Sequence, residues 1–203
     1  MILEKIIHRC FFKTGYLFFR LLCRGKIIGS ENVEECLSSG FVLVANHGSH
    51  FDSIVIWSYL HAKFGVDIIF FAKERLFKNV LFGPCMRAAA CVKVSNNSNA
   101  ILDFKAYRKM VRNKFVGVFP EGSRTGNGAI NTYKYGAAEI ADKLNLPILP
   151  VALCGFYEAW PRGRFLPRPK KCEMVFLKPV HAKGSGSLDL AMEQIKNAVQ
   201  GGY

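Results

Sequence analysis

Short, unbroken apolar runs, each closed by glycine or a polar cluster, constrain the fold of this chain more than any other feature. Gly40-Phe41-Val42-Leu43-Val44-Ala45 runs into a polar loop, and a stretch of helical spacing over 53–64 follows. The pattern returns with apolar runs at 67–72, 115–119 and 148–153, with a short strand at 92–94, and with helical stretches at 99–112 and 135–144. Runs of this kind lack polar alternation, so they suit strands buried on both faces, which requires helices above and below the sheet. A strand at 26–29, a helix at 31–37, a strand at 171–177 and a closing helix at 188–200 complete the reading. The expectation is a single α/β domain with a mostly parallel central sheet covered by helices. At 203 residues and 50% hydrophobic content, the chain has the material for one such core and is not disordered. Ligands of such sheets gather at the loops leaving the carboxyl ends of the strands.

The first 24 residues stand apart from this pattern. Glu4, Lys5, His8, Arg9, Lys13 and Arg20 interrupt every apolar run before it reaches the roughly 18–20 residues that span a bilayer. Those internal charges, with no small-residue cleavage site after them, also argue against a secretory signal. Ile2, Ile6, Ile7, Cys10, Phe11, Tyr16, Leu17, Leu21 and Leu22 recur at helical spacing, with Lys5, Arg9, Lys13, Arg20 and Arg24 beside them. Two readings fit. One is an amphipathic basic helix lying in the membrane interface, and the other is an ordinary first helix packed on the domain. The first divides the chain into an interface segment, 1–24, and a catalytic domain, 25–203. It places the protein peripherally on the cytoplasmic face of a membrane.

Charge narrows the partners. A formal net charge of +13 seeks anionic nucleic acid, anionic lipid, or acidic substrates and carriers. Lys and Arg are spread along the chain and no RRM, KH, helix-turn-helix or zinc pattern occurs, so no nucleic-acid partner is expected. The excess of Phe (17 residues) over Trp (2) leans toward a greasy core or acyl-chain contact. Seven scattered cysteines with no C-x-x-C read as free thiols in a reducing compartment.

Two loops carry the chemistry. In Asn46-His47-Gly48-Ser49-His50-Phe51-Asp52, His47 and Asp52 lie five apart. On one continuous helix that offset is roughly 140°, and the two could not meet. In a loop entering a helix they can, with Gly48 easing the turn; a carboxylate on one imidazole nitrogen then leaves the other as a base. Other readings stay open for this loop alone: His47, His50 and Asp52 as metal ligands, Ser49 as a nucleophile, or Asp52 as a plain helix cap. The second loop, Phe119-Pro120-Glu121-Gly122-Ser123-Arg124-Thr125, brings an Arg fork suited to phosphate beside small residues that let backbone N–H groups approach an anion. Glu121 there either holds the Arg124 guanidinium or accepts a hydrogen bond from a substrate hydroxyl.

Together the loops resemble those of the glycerolipid acyltransferases typified by 1-acylglycerol-3-phosphate O-acyltransferase. The family signature is N-H-x-x-x-x-D, then F-P-E-G-[ST]-R-[ST], then F-K-x-G, then a P-[IV]-x-P-V strand. It corresponds here to Asn46-His47…Asp52, to Phe119–Thr125, to Tyr133-Lys134-Tyr135-Gly136 and to Pro147-Ile148-Leu149-Pro150-Val151. Ala72-Lys73-Glu74-Arg75-Leu76, with Gly83 and Arg87, is similar to the family's second block. That block usually closes on an Arg, where this chain has Val94-Ser95-Asn96 and Lys93 is the nearest cation. The resemblance implies transfer of a fatty acyl group from acyl-CoA or acyl carrier protein to the hydroxyl of a lysophospholipid in the membrane. It implies His47 and Asp52 as the base pair, and Lys73, Glu121, Gly122 and Arg124 at the substrate, with no metal or dissociable cofactor. Lys73 and Arg124 favour a phosphate-bearing acceptor; lysophosphatidate is the expected one, with another lysophospholipid, a lyso-ornithine-type lipid or a glycolipid as the alternatives.

Overall fold

A computed structural model describes residues 16–17, 19–21, 23–49, 51–73, 77–78, 91–94, 112–181 and 183–201, with backbone alone at 72–73 and 93–94. Its elements in chain order are β1 (Lys26–Ile28), α1 (Glu31–Cys36), β2 (Phe41–Ala45), α2 (Asp52–Phe64), β3 (Ile69–Lys73) and β4 (Val92–Val94). They continue with β5 (Phe115–Val118), α3 (Gly136–Leu144), β6 (Ile148–Cys154), α4 (Phe156–Ala159), β7 (Glu173–Phe176) and α5 (Ser185–Val199). The strands form one seven-stranded sheet in the order β1-β7-β6-β2-β5-β3-β4. Pairing is parallel throughout except between β6 and β7. This is the mostly parallel α/β sheet that the apolar runs predict.

Strand alternation divides the core into two layers, because successive side chains point to opposite faces. Phe41, Leu43 and Ala45 of β2 join Leu149, Val151 and Leu153 of β6 against Val55, Ile56 and Leu60 of α2. Val42 and Val44 of β2 face the other way with Ile148 and Ala152, against Ala137 and Ala141 of α3 and Leu188, Ala191, Met192, Ile195 and Ala198 of α5. The α5 residues recur at three and four, as one helix face requires. Leu43 is fully buried at the centre, and truncating it to Ala would cost about 2–5 kcal/mol.

Helix α4 is absent from the sequence expectation, since a single turn of four residues leaves no periodicity to find. Of the expected helix at 99–112, only its last residue lies within the described residues, and 112–113 are helical. Residues 16–17 and 19–21 are helical too, and Phe19 and Cys23 are buried against the domain. Phe19 stacks on Phe156 at 5.7 Å, and Tyr16 on Tyr59 at 6.5 Å. The final stretch of the amino-terminal segment therefore packs as a first helix of the domain, while residues 1–15 lie outside the described residues. The described cysteines, Cys23, Cys36, Cys91, Cys154 and Cys172, are free thiols. Burial pushes those of Cys36 and Cys154 up to about 11, in keeping with core packing.

Candidate active site

The two loops meet because their strands are neighbours in register. Phe41 through Val44 of β2 pair with Phe115 through Val118 of β5, so the chain leaves both strands at one level of the sheet. His47 follows β2 by two residues and Phe119 follows β5 by one. On the other side of β2, Ala45 pairs with Val151 of β6, and Asn46 ties the two strands together. Its Nδ2 donates to the Leu153 carbonyl at 3.1 Å while its Oδ1 accepts from the Leu153 N–H at 2.8 Å.

His47 Nδ1 lies 2.8 Å from Asp52 Oδ2. The same oxygen accepts the backbone N–H groups of Gly48 and Ser49, each at 2.8 Å, and Asp52 has no solvent exposure. Three donors thus converge on one carboxylate oxygen, which fits an orienting acceptor rather than a metal ligand. They come from the loop ahead of α2 and not from its first turn. Phe51 is the helix cap, without a side-chain cap bond, so Asp52 is more than a plain cap. Ser49 is buried and its Oγ accepts from Phe51 N–H at 3.2 Å, which does not suit a nucleophile. His50 lies outside the described residues. Gly48 serves differently from the expectation: its φ is not positive, and a Cβ there would lie 3.1 Å from Tyr157 Cβ. Close approach of α4, not turn conformation, is what favours glycine here.

The imidazole plane is set by a stack of rings. Phe119 lies 4.1 Å from the His47 ring at 15°, and Phe70 of β3 stacks on Phe119 at 5.4 Å. A Cβ at Gly117 of β5 would run into the Phe70 ring, so a missing side chain two residues before Phe119 makes room for the stack.

Glu121 turns inward. Its Oε1 accepts His47 N–H at 2.8 Å, and its Oε2 accepts Asn131 N–H at 2.9 Å and Asn131 Nδ2 at 3.0 Å. With both oxygens engaged and the side chain buried, Glu121 braces one loop against the other. A reciprocal bond runs from Thr125 N–H to the His47 carbonyl at 2.9 Å. The sequence gives no sign of Asn131, which belongs to no motif, nor of the structural use of Asn46. Gly122 has φ +69 and faces open space, so the turn exposes its backbone where a larger residue would be strained. Arg124 is half-buried in the same loop. Lys73 ends β3 at the same carboxyl edge, whereas Glu74, Arg75, Leu76, Gly83 and Arg87 lie outside the described residues. Lys134 N–H donates to the Pro120 carbonyl at 3.0 Å, linking the Tyr133–Gly136 motif to this loop. A pocket of about 470 Å³, open to solvent, adjoins the junction and is lined in part by Asn46, His47, Glu121, Thr125 and Tyr157.

Residues 24–154 match the Acyltransferase family, and the chain belongs to it. Its relatives carry a more specific description. A 1-acyl-sn-glycerol-3-phosphate acyltransferase from Limnanthes alba is 29% identical over 161 residues, covering 77% of this chain and 54% of that protein. One from Cocos nucifera is 31% identical over 143 residues, covering 68% and 45%. The chain spans about half the length of these curated relatives. Among solved structures it is similar to the 1-acyl-sn-glycerophosphate (LPA) acyltransferase PlsC from Thermotoga maritima. The TM-score is 0.72 at 27% identity, over 98% of this chain and 80% of that one.

Proposed function

We propose that the protein transfers a fatty acyl group from an acyl thioester, acyl-CoA or acyl carrier protein, to the free hydroxyl of lysophosphatidate, giving phosphatidate. The observation that carries this reading is the 2.8 Å contact between His47 Nδ1 and an Asp52 oxygen already fixed by two backbone N–H groups. Nδ1–H donates to the carboxylate, and Nε2 is left as the base. Nε2 takes the acceptor's hydroxyl proton as that oxygen attacks the thioester carbonyl carbon. The tetrahedral intermediate collapses, the C–S bond breaks, and the thiolate leaves and recovers the proton from the imidazolium. No acyl-enzyme forms, and the scheme uses no metal or dissociable cofactor. Holding two substrates at one base supplies much of the rate gain.

Arg124 and Lys73 pair with the acceptor phosphate, for which a planar guanidinium fork is well shaped. Gly122 keeps the pocket wall low, and Glu121 supports the site from within. The relatives' descriptions support the acceptor, and the +13 charge suits an anionic lipid, an acidic carrier or the phosphates of CoA. Among the described residues no helix is long and apolar enough to cross a membrane. Residues 1–24 are proposed to hold the protein peripherally on the cytoplasmic face, within reach of an acceptor that resides in the bilayer.

The test is direct. The full chain is incubated with lysophosphatidate and each donor type, and product lipids are identified by mass spectrometry. Phosphatidate is expected from at least one donor, and its absence with both overturns the reading. Equal turnover of a phosphate-free acceptor would reassign the acceptor while leaving acyl transfer in place.

A further inference from the structure

The most exposed large apolar side chain described in this protein is Phe165, at 90% accessibility, and Leu166 beside it is 67% exposed. They sit in the sequence Arg162-Gly163-Arg164-Phe165-Leu166-Pro167-Arg168-Pro169-Lys170-Lys171, where all five cations are exposed. No acidic residue lies between Glu158 and Glu173. We infer that this loop docks on the surface of an anionic phospholipid bilayer, with Phe165 and Leu166 entering the interface and the surrounding cations meeting the headgroups. The inference deepens the proposed function, resting on it only for the claim that the acceptor lies in that bilayer.

The loop is anchored rather than loose. Trp160 Nε1 donates to the Arg164 carbonyl at 2.9 Å, and Arg168 N–H donates to the Ala159 carbonyl at 2.9 Å. Its apolar tip is thus held outward at a fixed place. Pro167 and Pro169 have no N–H, which reduces the backbone polarity carried into the headgroup region. Long cationic side chains can lay their stems along the apolar boundary while their charges stay with phosphate.

A second pair of exposed apolar side chains lies on a segment joined to both flanks of the loop. Leu17 and Leu21, four apart on the first helix, are 56% and 70% exposed, while Phe19 turns inward onto Phe156. Cys172 N–H donates to the Cys23 carbonyl at 3.1 Å, so both flanks of the loop, α4 and Cys172, touch the segment that carries these leucines. An acidic protein partner would account for the cations, but it gives no reason for adjacent Phe and Leu at the outermost point. The location is also apt. Trp160 packs against Phe51 at 4.6 Å, and Phe51 caps the helix that Asp52 begins. The docking loop is thus joined through Trp160 and Phe51 to the loop that carries His47.

The experiment uses the full chain carrying Phe165→Trp, with the wild type recording the background from Trp57 and Trp160. Vesicles of phosphatidylcholine with phosphatidylglycerol should shift the emission of the introduced indole to the blue, and acyl chains brominated near the headgroup should quench it. Sedimentation with the same vesicles should weaken about tenfold in F165S/L166S. Replacing Arg164 and Arg168 with Gln should weaken it about fivefold per charge at low salt, and not at all on neutral vesicles. An emission unmoved by vesicles, or unchanged sedimentation of F165S/L166S, overturns the inference. So does unchanged vesicle binding with a raised KM for acyl carrier protein, which would reassign the surface to an acidic carrier. Turnover of dispersed lysophosphatidate without vesicles reads the acyl-transfer chemistry separately, and F165S/L166S should leave it at the wild-type rate.

Discussion

The two loops at the carboxyl edge use their carboxylates in opposite ways. In the loop after β2, Asp52 gathers two backbone N–H groups and one imidazole onto a single oxygen, so its charge is focused on His47. In the loop after β5, Glu121 spreads its bonds over both oxygens, one to the main chain of His47 and two to Asn131. The first carboxylate contacts the His47 ring, and the second fixes the backbone from which the ring hangs. Motif residues close together in space are therefore not all substrate contacts. An acidic residue beside an Arg in sequence can face the interior and brace the backbone of a neighbouring loop.

Removing the base should give the largest effect. His47→Ala is expected to lower turnover by on the order of 10²–10⁴ while leaving thermal stability near wild type. Asp52→Ala should lose a similar amount of activity and destabilise as well, since it strands the Gly48 and Ser49 N–H groups, at about 1–3 kcal/mol for each unpaired group. Thermal melts beside acyl-transfer assays separate the two variants. Near-normal turnover in a folded His47→Ala protein would dismantle the proposed mechanism.

The two cations proposed to meet the acceptor phosphate come next. Arg124→Ala should raise the KM for lysophosphatidate by roughly tenfold to a hundredfold, the worth of one charged hydrogen-bonding group, and leave the KM for the thioester donor little changed. Lys73→Ala should move the same constant in the same direction. Should both substrates' constants rise equally, Arg124 would join Glu121 as part of the frame. A smaller effect, about tenfold in kcat, is expected from Gly117→Ala. The added methyl displaces Phe70, and through Phe119 the His47 ring, at a distance from any substrate. Unchanged kcat in that variant would show that the ring stack does not hold the imidazole in place.

The central strands β2 and β6 are legible in the sequence because their burial on both faces leaves unbroken apolar runs. His47 and Asp52 were legible as a pair because they lie in one short loop. The antiparallel placement of β7 between β1 and β6 was not, since pairing partners are chosen by packing over long separations. The inward role of Glu121 was hidden for the same reason: its partners, His47 and Asn131, come from a neighbouring strand's loop and from ten residues downstream. The close approach of Tyr157 to Gly48 is invisible in the sequence, because it exists only once α4 is placed.

Asn131 offers the finest test of the division between acting and bracing carboxylates. Its side-chain Nδ2 supplies one of the two bonds to Glu121 Oε2, while its backbone N–H supplies the other. Asn131→Ala removes only the first, so the brace weakens without breaking. One charge-assisted hydrogen bond at an exposed residue is worth about 1 kcal/mol, or roughly fivefold. If Glu121 positions His47 through the main chain, that loss should fall on kcat with the KM of both substrates unchanged. Asn131→Asp should be worse than Ala, because it sets a second carboxylate against Glu121, and raising the salt concentration should recover part of that difference. If instead Glu121 receives the acceptor's hydroxyl, freeing its Oε2 would leave kcat intact and change the acceptor's KM. Steady-state kinetics on the three proteins, with each substrate varied in turn, distinguishes the two roles.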